Sequence, residues 1–293
     1  MWRTVAPALA LLLALPLVGC TPRRTGSDVV VSFYPLQYVA TRIVGSHAHV
    51  VDLTRPGVEP HDLELRPTQI ATVAAAKVAF YEKGLQPAVD DAISQNRPAH
   101  VVDVASLVHL HNGDGGVDPH FWQDPVLLAR VAAGFTTAMV RADPDHASDY
   151  RLNLAALDAD LRELDGELRA GLAHCRTRSV VVSHDAFEYL GRRYDLHVHA
   201  IAGLSPDAEP SAKRLSDLAD LARRTGVSTI FSETLVSPRL AQTLADDAGL
   251  GTAVLDPIEG LTSKSQSFDG RNADYLSLMR ANLRALQRAG GCT

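Results

Sequence analysis

The chain has 293 residues, of which 46% are hydrophobic and 21% are charged, and its formal net charge is −6. That balance is typical of a folded globular protein and argues against intrinsic disorder. The sequence has no basic patch with interleaved aromatic residues, so we expect no nucleic acid as a partner. The length allows one large domain or two of ordinary size.

The N-terminal segment reads as an export signal. Arg3 supplies a positive charge, and the apolar run Val5–Val18 is too short to span a bilayer comfortably. The run ends in "LVGC" at Cys20, which resembles the lipobox of bacterial lipoproteins, where the signal is cut before the cysteine and that cysteine carries lipid. We therefore predict a signal peptide over 1–19, a lipid on Cys20 and a polar tether over 20–27, which places the protein outside the cytoplasm, anchored to the cell membrane. A plain signal with an incidental cysteine is the alternative.

The next part of the chain alternates strand-like and helical patterns. "DVVVSFYPLQYVATRIVG" starts as an apolar β-rich run and continues with helical spacing, and "TQIATVAAAKVAFY" reads as a helix that leads into a strand. "HVVDLT" and "HVVDVA" read as two further strands. Because strands that alternate with helices form parallel sheets covered on both faces, we predict an α/β lobe over residues 28–143.

The second half repeats this order. "RSVVVSHDAFEYLGRRYDL" reads as a strand, a turn and a helix, and "HVHAIAG" reads as a strand. "SAKRLSDLADLARRTGVSTIFSE" and "SPRLAQTLADDAGLGTAVLDP" each read as a helix that feeds a strand. The predicted fold class is therefore α/β, with a second lobe over residues 173–293.

A helical pattern between the lobes predicts one long linking helix over residues 144–172. The Asp-Pro pair at 143–144 is typical of a helix start, with proline near the first turn. Apolar side chains recur at three-to-four spacing over about 25 residues, which makes a helix of roughly 35–40 Å. A flexible hinge would be richer in Gly and Ser, so we expect a rigid connection that resists wide opening. The apolar positions are Leu152, Ala155, Ala156, Leu161, Leu164 and Leu168.

Four potential metal ligands occur where a strand or helix gives way to a loop. His61 follows "VVDLT", His120 lies in "VDPHFWQDP", His184 lies in "VVVSHDAF", and Asp256 lies in "TAVLDPIEG". Ligands of open α/β sheets gather at the carboxyl ends of strands. Three imidazoles and one carboxylate suit a tetrahedral zinc site, which two lobes would share in the cleft between them. The alternative for each histidine is a surface or core residue, since the chain has 12 of them.

Several longer motifs carry a resemblance over nearly the whole chain after the signal. They are "GVEPHDLELRPTQI", "DPHFWQDP", "VVSHDAFEYLGRRYDL", "AGLSPDAEPSAKRL", "FSETLVSPRLAQTLADDAG" and "VLDPIEG". In this order they resemble the zinc/manganese group (cluster 9 or A-I type) of solute-binding proteins of ABC transporters. The resemblance implies two α/β lobes joined by one rigid helix, a metal buried between them, and the ligands His61, His120, His184 and Asp256.

The third ligand position bears on the choice of metal. In the group that this chain resembles, manganese-type members tend to have a glutamate at the position of His184, whereas zinc-type members have a histidine. Imidazole suits Zn²⁺, and Mn²⁺ is better served by oxygen donors. We therefore expect Zn²⁺ as the transported ion, with Mn²⁺ as the alternative, and a membrane permease of the ABC type as the partner of a monomeric binding protein.

Some nearby side chains are accessory candidates. Many zinc-type relatives carry a long His- and Asp-rich loop before the second ligand, whereas this chain has only "HLHNGDGG", with His109, His111 and Asp114. These residues either capture an ion and pass it inward or belong to an ordinary solvated loop. Glu59 is a candidate for an alternative ligand or for a carboxylate that fixes a ligand imidazole.

The remaining cysteines, Cys175 and Cys292, are candidates for a disulfide, because an exported protein folds in an oxidising compartment. The pairing would attach the C-terminal tail to a segment just before a strand. The sequence leaves open whether the geometry permits the bond.

We expect a binding protein rather than an enzyme. Four protein ligands would close the open water position that catalytic zinc keeps, and the sequence has neither an H-E-x-x-H nor a G-x-S-x-G pattern. Because imidazole must be neutral to bind a metal, affinity should fall below about pH 6.5. A metal-binding adhesin or metal chaperone of the same fold is a further alternative.

Overall fold

A computed structural model of the chain describes residues 29–113, 115–262 and 273–293, together with Trp2. Apart from Trp2, the predicted signal peptide lies outside the described residues, as do the lipid site Cys20 and the accessory candidate Asp114. Within the described ranges, none of the helices combines the length and the apolar character that a membrane crossing requires.

A four-stranded parallel sheet forms the core of the first lobe, in the strand order β2-β1-β3-β4. The central strands β1 and β3 are buried along their whole length, because helices cover both faces of the sheet. This explains why β1 is an unbroken run of valines rather than an alternating pattern. The strands are β1 (Val29–Val31), β2 (Val50–Asp52), β3 (Val78–Tyr81) and β4 (His100–Asp103), and the helices are α1 (Tyr34–Val44), α2 (Pro67–Ala75), α3 (Pro87–Asn96) and α4 (Pro125–Ala142).

A short hairpin lies between β4 and α4, formed by β5 (Asn112–Gly113) and β6 (Gly116–Val117). The long helix α5 (Ala147–Gly171) has 25 residues and is about 38 Å long. Its buried face consists of Tyr150, Leu157, Leu161, Leu164 and Leu168.

The predicted apolar stripe of α5 was wrong at its N-terminal end. Leu152 is 69% exposed, and Ala155 and Ala156 are exposed as well. Nine residues separate Leu152 from Leu161, which is about two and a half helical turns and places the two side chains on opposite faces. Tyr150 and Leu157 occupy the buried face instead.

The second lobe repeats the first with a parallel sheet in the order β10-β9-β7-β8. Its strands are β7 (Ser179–Val182), β8 (His197–Ala200), β9 (Thr229–Ser232) and β10 (Gly251–Val254), and its helices are α6 (Glu188–Tyr194), α7 (Ala212–Thr225), α8 (Arg239–Ala248) and α9 (Tyr275–Gly290). The predicted α/β class, with two parallel sheets joined by one long helix, is confirmed.

The lobes are tied to each other by buried contacts. Helix α5 packs against α1 and α4 of the first lobe and against α9 of the second, within one continuous hydrophobic core. The indole N–H of Trp122 and the side-chain amide of Gln123 both donate to the carbonyl of Pro257, at 2.7 and 2.5 Å. Tyr275 donates to the carbonyl of Trp122. Because these hydrogen bonds are shielded from water, they resist a wide opening of the cleft.

The C-terminus is fixed to the second lobe by a disulfide. Cys175, which precedes β7, is bonded to Cys292, which follows α9, across a sequence separation of 117 residues. The backbone N–H of Thr293 also donates to the carbonyl of His174. The tail is therefore part of the folded lobe.

Candidate metal centre

His61 lies in the loop that follows β2. Its backbone N–H donates to Oε1 of Glu59 at 3.1 Å, and the N–H of Leu63 donates to the carbonyl of Pro60. These local bonds, with φ fixed at Pro60, hold the turn that presents the imidazole. The side chain of His61 is 11% exposed.

His120 is held by a carboxylate two residues before it. Oδ1 of Asp118 accepts the backbone N–H of His120 at 3.0 Å and lies 2.8 Å from its Nδ1. The side chains of both residues are buried. The Nδ1 contact fixes the orientation of the ring, so that Nε2 points into the site; with the proton on Nδ1, the lone pair of Nε2 is available to a metal ion.

His184 follows β7 directly, and its carboxylate partner follows the neighbouring strand. Glu233 comes directly after β9, and its two oxygens lie 3.0 and 2.9 Å from Nδ1 of His184. Because β7 and β9 are adjacent and parallel, their carboxyl ends meet at one edge of the sheet. The sheet itself therefore places this imidazole beside the carboxylate that orients it.

Glu259 supplies the oxygen at the centre of the group. Its Oε1 lies 3.1 Å from Nε2 of His184, 3.2 Å from Nε2 of His120 and 3.7 Å from Nε2 of His61. The four ligand atoms all lie within 4.8 Å of one another. Two of these residues come from each lobe, so the group lies in the cleft between the lobes.

The distances from Glu259 to the three imidazoles are close to those of a tetrahedral zinc site. Zn–N and Zn–O bonds of 2.0–2.1 Å in a tetrahedron give distances of about 3.3–3.4 Å between ligand atoms. The three distances from Glu259 to the imidazoles lie on either side of that value. Among the described residues, Nε2 of His61, Nε2 of His120 and Oε2 of Glu259 are buried and have no hydrogen bond of good geometry. Converging donors of this kind are what a buried cation requires.

The structure corrects the assignment of the carboxylate, because Asp256 lies outside this group. Oδ1 of Asp256 accepts the N–H of Ile258 at 2.8 Å, and the Asn282 side chain bonds both the N–H and the carbonyl of Asp256. Ile258 has a φ of 61°, a left-handed conformation that a β-branched residue rarely adopts. Asp256 therefore stabilises the strained turn that brings Glu259 into the site.

The charges around the site favour a cation. Burial raises the pKa of Glu259, but the charge of His184 and the nearby nitrogens of the three imidazoles outweigh it and hold the pKa well below its ordinary value. Burial lowers the pKa of His120, but its bonds to Asp118 and Glu259 outweigh it and raise the pKa overall. The pKa of His184 is raised well above its ordinary value because Glu259 and Glu233 outweigh the effect of burial.

The accessory candidates Glu59, His109 and His111 are not members of this group. Burial and the nearby Glu259 raise the pKa of Glu59 to about 8, and Oε2 of Glu59 is buried without a hydrogen bond from the described residues. His109 and His111 have ring centroids 6.1 Å apart, and the ring of His111 packs against Tyr189. Burial lowers the pKa of His111. Neither histidine is among the four grouped ligands.

Reasoning from the sequence missed Glu259 and the role of Asp118. Both stand inside motifs that the sequence analysis singled out, "VLDPIEG" and "VDPHFWQDP". The Asp-Pro pair at 256–257 could have indicated that Asp256 is not the ligand, since Asp before a tight turn more often accepts hydrogen bonds from backbone N–H groups than binds an ion. The next acidic residue along the turn was then the better candidate for the ligand.

Comparisons with known proteins agree in the family they indicate. A family model described as ZnuA, zinc-uptake complex component A, periplasmic, matches residues 29–289. The zinc-binding lipoprotein AdcA of Streptococcus pneumoniae is 31% identical over 307 aligned positions, which cover 98% of this chain and 61% of AdcA. The chain thus spans about three fifths of the length of that relative.

Two further relatives match over most of their own length. The high-affinity zinc uptake system protein ZnuA of Bacillus subtilis is 32% identical over 278 positions, covering 88% of this chain and 86% of the relative. The crystal structure of the laminin-binding protein Lmb of Streptococcus agalactiae, described as a bifunctional protein with adhesin and metal transporting activity, superimposes with a TM-score of 0.82. It is 28% identical and covers 90% of this chain and 99% of Lmb.

Proposed function

Because this chain belongs to the family of zinc-uptake complex component A, we propose that it binds Zn²⁺ outside the cytoplasm and delivers the ion to the permease of an ABC transporter. Membership of the family confirms the resemblance seen in the motifs. The observation that carries the proposal is the convergence of three imidazole Nε2 atoms on one oxygen of Glu259 in the cleft.

The donor set favours zinc over manganese. Three neutral nitrogens and one charged oxygen suit Zn²⁺, whereas Mn²⁺ prefers a site richer in oxygen. The names of the two sequence relatives, a zinc-binding lipoprotein and a zinc uptake protein, support this choice. We therefore take His61, His120, His184 and Glu259 as the zinc ligands.

Two of the four ligands, His120 and His184, are oriented for capture by a contact outside the coordination sphere. Asp118 and Glu233 accept the Nδ1 protons of His120 and His184, so the Nε2 lone pairs face the ion. Glu259 contributes the negative charge. Four protein ligands leave no coordination position for a reactive water, so the site suits holding and releasing an ion rather than hydrolysis.

His61 is the ligand through which we expect the ion to enter and leave. Its side chain is 11% exposed, whereas those of His120 and Glu259 are fully buried. The lobes are tied by α5 and by the hydrogen bonds to Pro257, so the movement that admits the ion is small.

The anchoring of the protein is a separate part of the proposal. We propose that residues 1–19 are removed on export and that Cys20 carries the lipid, which keeps a monomeric binding protein close to the permease. The name of the AdcA relative, a lipoprotein, supports this. The structural match to Lmb favours adhesion as a second candidate function. Growth of a deletion strain in zinc-poor medium separates the two, since a transport role predicts a defect that added zinc relieves.

The proposal is tested by titrating the purified full chain with Zn²⁺ and Mn²⁺ in competition with a chromophoric chelator. We expect one tightly bound Zn²⁺ per chain that a large excess of Mn²⁺ does not displace. A preference for Mn²⁺ would contradict the weight placed on His184, and a lack of zinc binding would refute the function.

A further inference from the structure

The hairpin that precedes His120 is held at both ends by a residue of the other lobe. We call residues 111–113 and 115–118 the His120 hairpin. The hydroxyl of Tyr189, in α6, accepts the backbone N–H of His111 at 2.9 Å and donates to the carbonyl of Asp118 at 2.9 Å. The N–H of Asp118 donates to the carbonyl of His111 at 2.8 Å and closes the hairpin. One hydroxyl therefore bridges the two ends of the hairpin.

Apolar contacts from the second lobe support this bridge. Leu204 lies against the hairpin, since a Cβ atom at Gly115 would lie 3.4 Å from its Cδ1. The rings of His111 and Tyr189 have centroids 4.9 Å apart. Burial raises the pKa of the Tyr189 hydroxyl, so it remains a donor at neutral pH.

The bridge leads directly to a proposed zinc ligand. Tyr189 bonds the backbone of Asp118, and the carboxylate of Asp118 bonds both the backbone N–H and Nδ1 of His120. The side chains of Asp118 and His120 are buried, so water does not readily replace a bond that is lost. The orientation of a first-lobe imidazole thus depends on a second-lobe hydroxyl.

We propose that Tyr189 is a positioning residue that holds His120 in its ligating orientation through Asp118 and thereby sets the rate at which the ion leaves. The inference rests on the proposed function, because it concerns the release of the same zinc ion. A displacement of the second lobe away from the His120 hairpin separates Tyr189 from Asp118 and frees His120. Release is then coupled to a small movement between the lobes rather than to a wide opening.

The test compares Tyr189→Phe with Tyr194→Phe in the full chain. Tyr194 lies on the same helix and is also buried, and its hydroxyl donates to Oδ1 of Asp165 at 2.9 Å, away from the hairpin. Zinc release into an excess of chelator is followed by stopped flow. We expect release from Tyr189→Phe to be about tenfold faster, since two net hydrogen bonds are lost. Release from Tyr194→Phe should stay within about twofold of the wild type, since the lost bond is remote from the ligands.

A second readout does not need zinc. In the metal-free protein, the Nδ1 proton of His120 is detected by NMR, and its exchange with solvent reports the bond to Asp118. We expect this exchange to be faster in Tyr189→Phe and unchanged in Tyr194→Phe. In an Asp118→Ala background, Tyr189→Phe should add no further acceleration of zinc release, because the route through Asp118 is already broken.

The rates of zinc release and of proton exchange together decide whether Tyr189 positions His120. Unchanged release and unchanged proton exchange in Tyr189→Phe would overturn the proposal, and so would equal effects of the two tyrosine variants. Additive acceleration in the Asp118→Ala background would show that Tyr189 acts by another route. If the wild-type chain bound no zinc, the proposed function would fail, whereas the proton exchange would still test whether Tyr189 positions His120.

Discussion

Replacing Glu259 and Asp256 by their amides separates the two acids of the turn after β10. Glu259→Gln keeps the size of the side chain but removes the one formal negative charge among the four grouped ligand atoms. Asp256→Asn keeps the oxygen that accepts the N–H of Ile258. The pair is matched, because both changes neutralise a buried carboxylate on the same turn and leave its shape intact.

The expected magnitudes differ widely. Oε1 of Glu259 lies within 3.7 Å of three imidazole nitrogens and is fully buried. Removing one partner of a buried charge pair costs about 3–5 kcal/mol, so we expect the zinc Kd of Glu259→Gln to rise by about two to four orders of magnitude. Asp256 lies outside the group of ligand atoms. Asp256→Asn should therefore raise the zinc Kd by less than about tenfold, which corresponds to about 1.4 kcal/mol.

Competition with a chelator at fixed pH and ionic strength measures both constants. Circular dichroism and thermal unfolding of the metal-free variants serve as controls for the fold. If Asp256→Asn weakened zinc binding more than Glu259→Gln, the assignment of Glu259 as the ligand would be refuted.

Three further predictions concern the pKa values of the histidines, the disulfide and the hydrogen bond from Trp122. Because the pKa values of His120 and His184 are raised in the folded protein, these residues stabilise the metal-free protein fully below their unfolded pKa, and this stabilisation is lost as the pH rises. Between pH 6 and 8, the Tm of the metal-free protein should therefore fall, and the increase in Tm caused by zinc should grow. An increase in Tm from zinc that became smaller with rising pH would contradict this. Cys175→Ser should lower the free energy of unfolding by about 2–5 kcal/mol in denaturant titrations and leave the zinc Kd unchanged within about threefold, because the disulfide closes a long loop remote from the ligands. Trp122→Phe removes one of the two donors to the carbonyl of Pro257 and should lower the free energy of unfolding by about 1–3 kcal/mol and accelerate zinc release in stopped flow. Wild-type stability and release would show that the bond from Trp122 does not tie the lobes.

The order of strands and helices could be predicted from local patterns of apolar residues in the sequence. An unbroken valine run such as β1 signals a strand buried on both faces, and helical spacing around it signals the crossovers of a parallel sheet. The face of α5 was harder to predict, because Leu152 matches the apolar spacing locally but lies opposite Leu161. Only packing against both lobes decides which face of such a helix is buried.

The sequence analysis named the three histidines that are grouped in the cleft but not the acid that is grouped with them. His61, His120 and His184 stand after strands or in a turn rich in proline, and the resemblance to a family marked them as ligands. Asp256 and Glu259 stand three residues apart on one turn, and the left-handed φ of Ile258 decides which of them faces the imidazoles.

The bridge from Tyr189 to the His120 hairpin could not be predicted at all. It joins residues that lie 78 and 71 positions apart in the sequence, and neither end carries a local signal of the pairing. Contacts of this kind depend on how the two lobes meet, which no periodicity within either lobe encodes.

The central claim is tested most directly by a crystal structure of the zinc-loaded protein, with anomalous diffraction recorded at the zinc absorption edge. We expect one ion in the cleft, with Nε2 of His61, His120 and His184 and one oxygen of Glu259 at about 2.0–2.1 Å. An ion bound by Asp256 in place of Glu259, or bound at His109 and His111 with the cleft ligands uncoordinated, would contradict it.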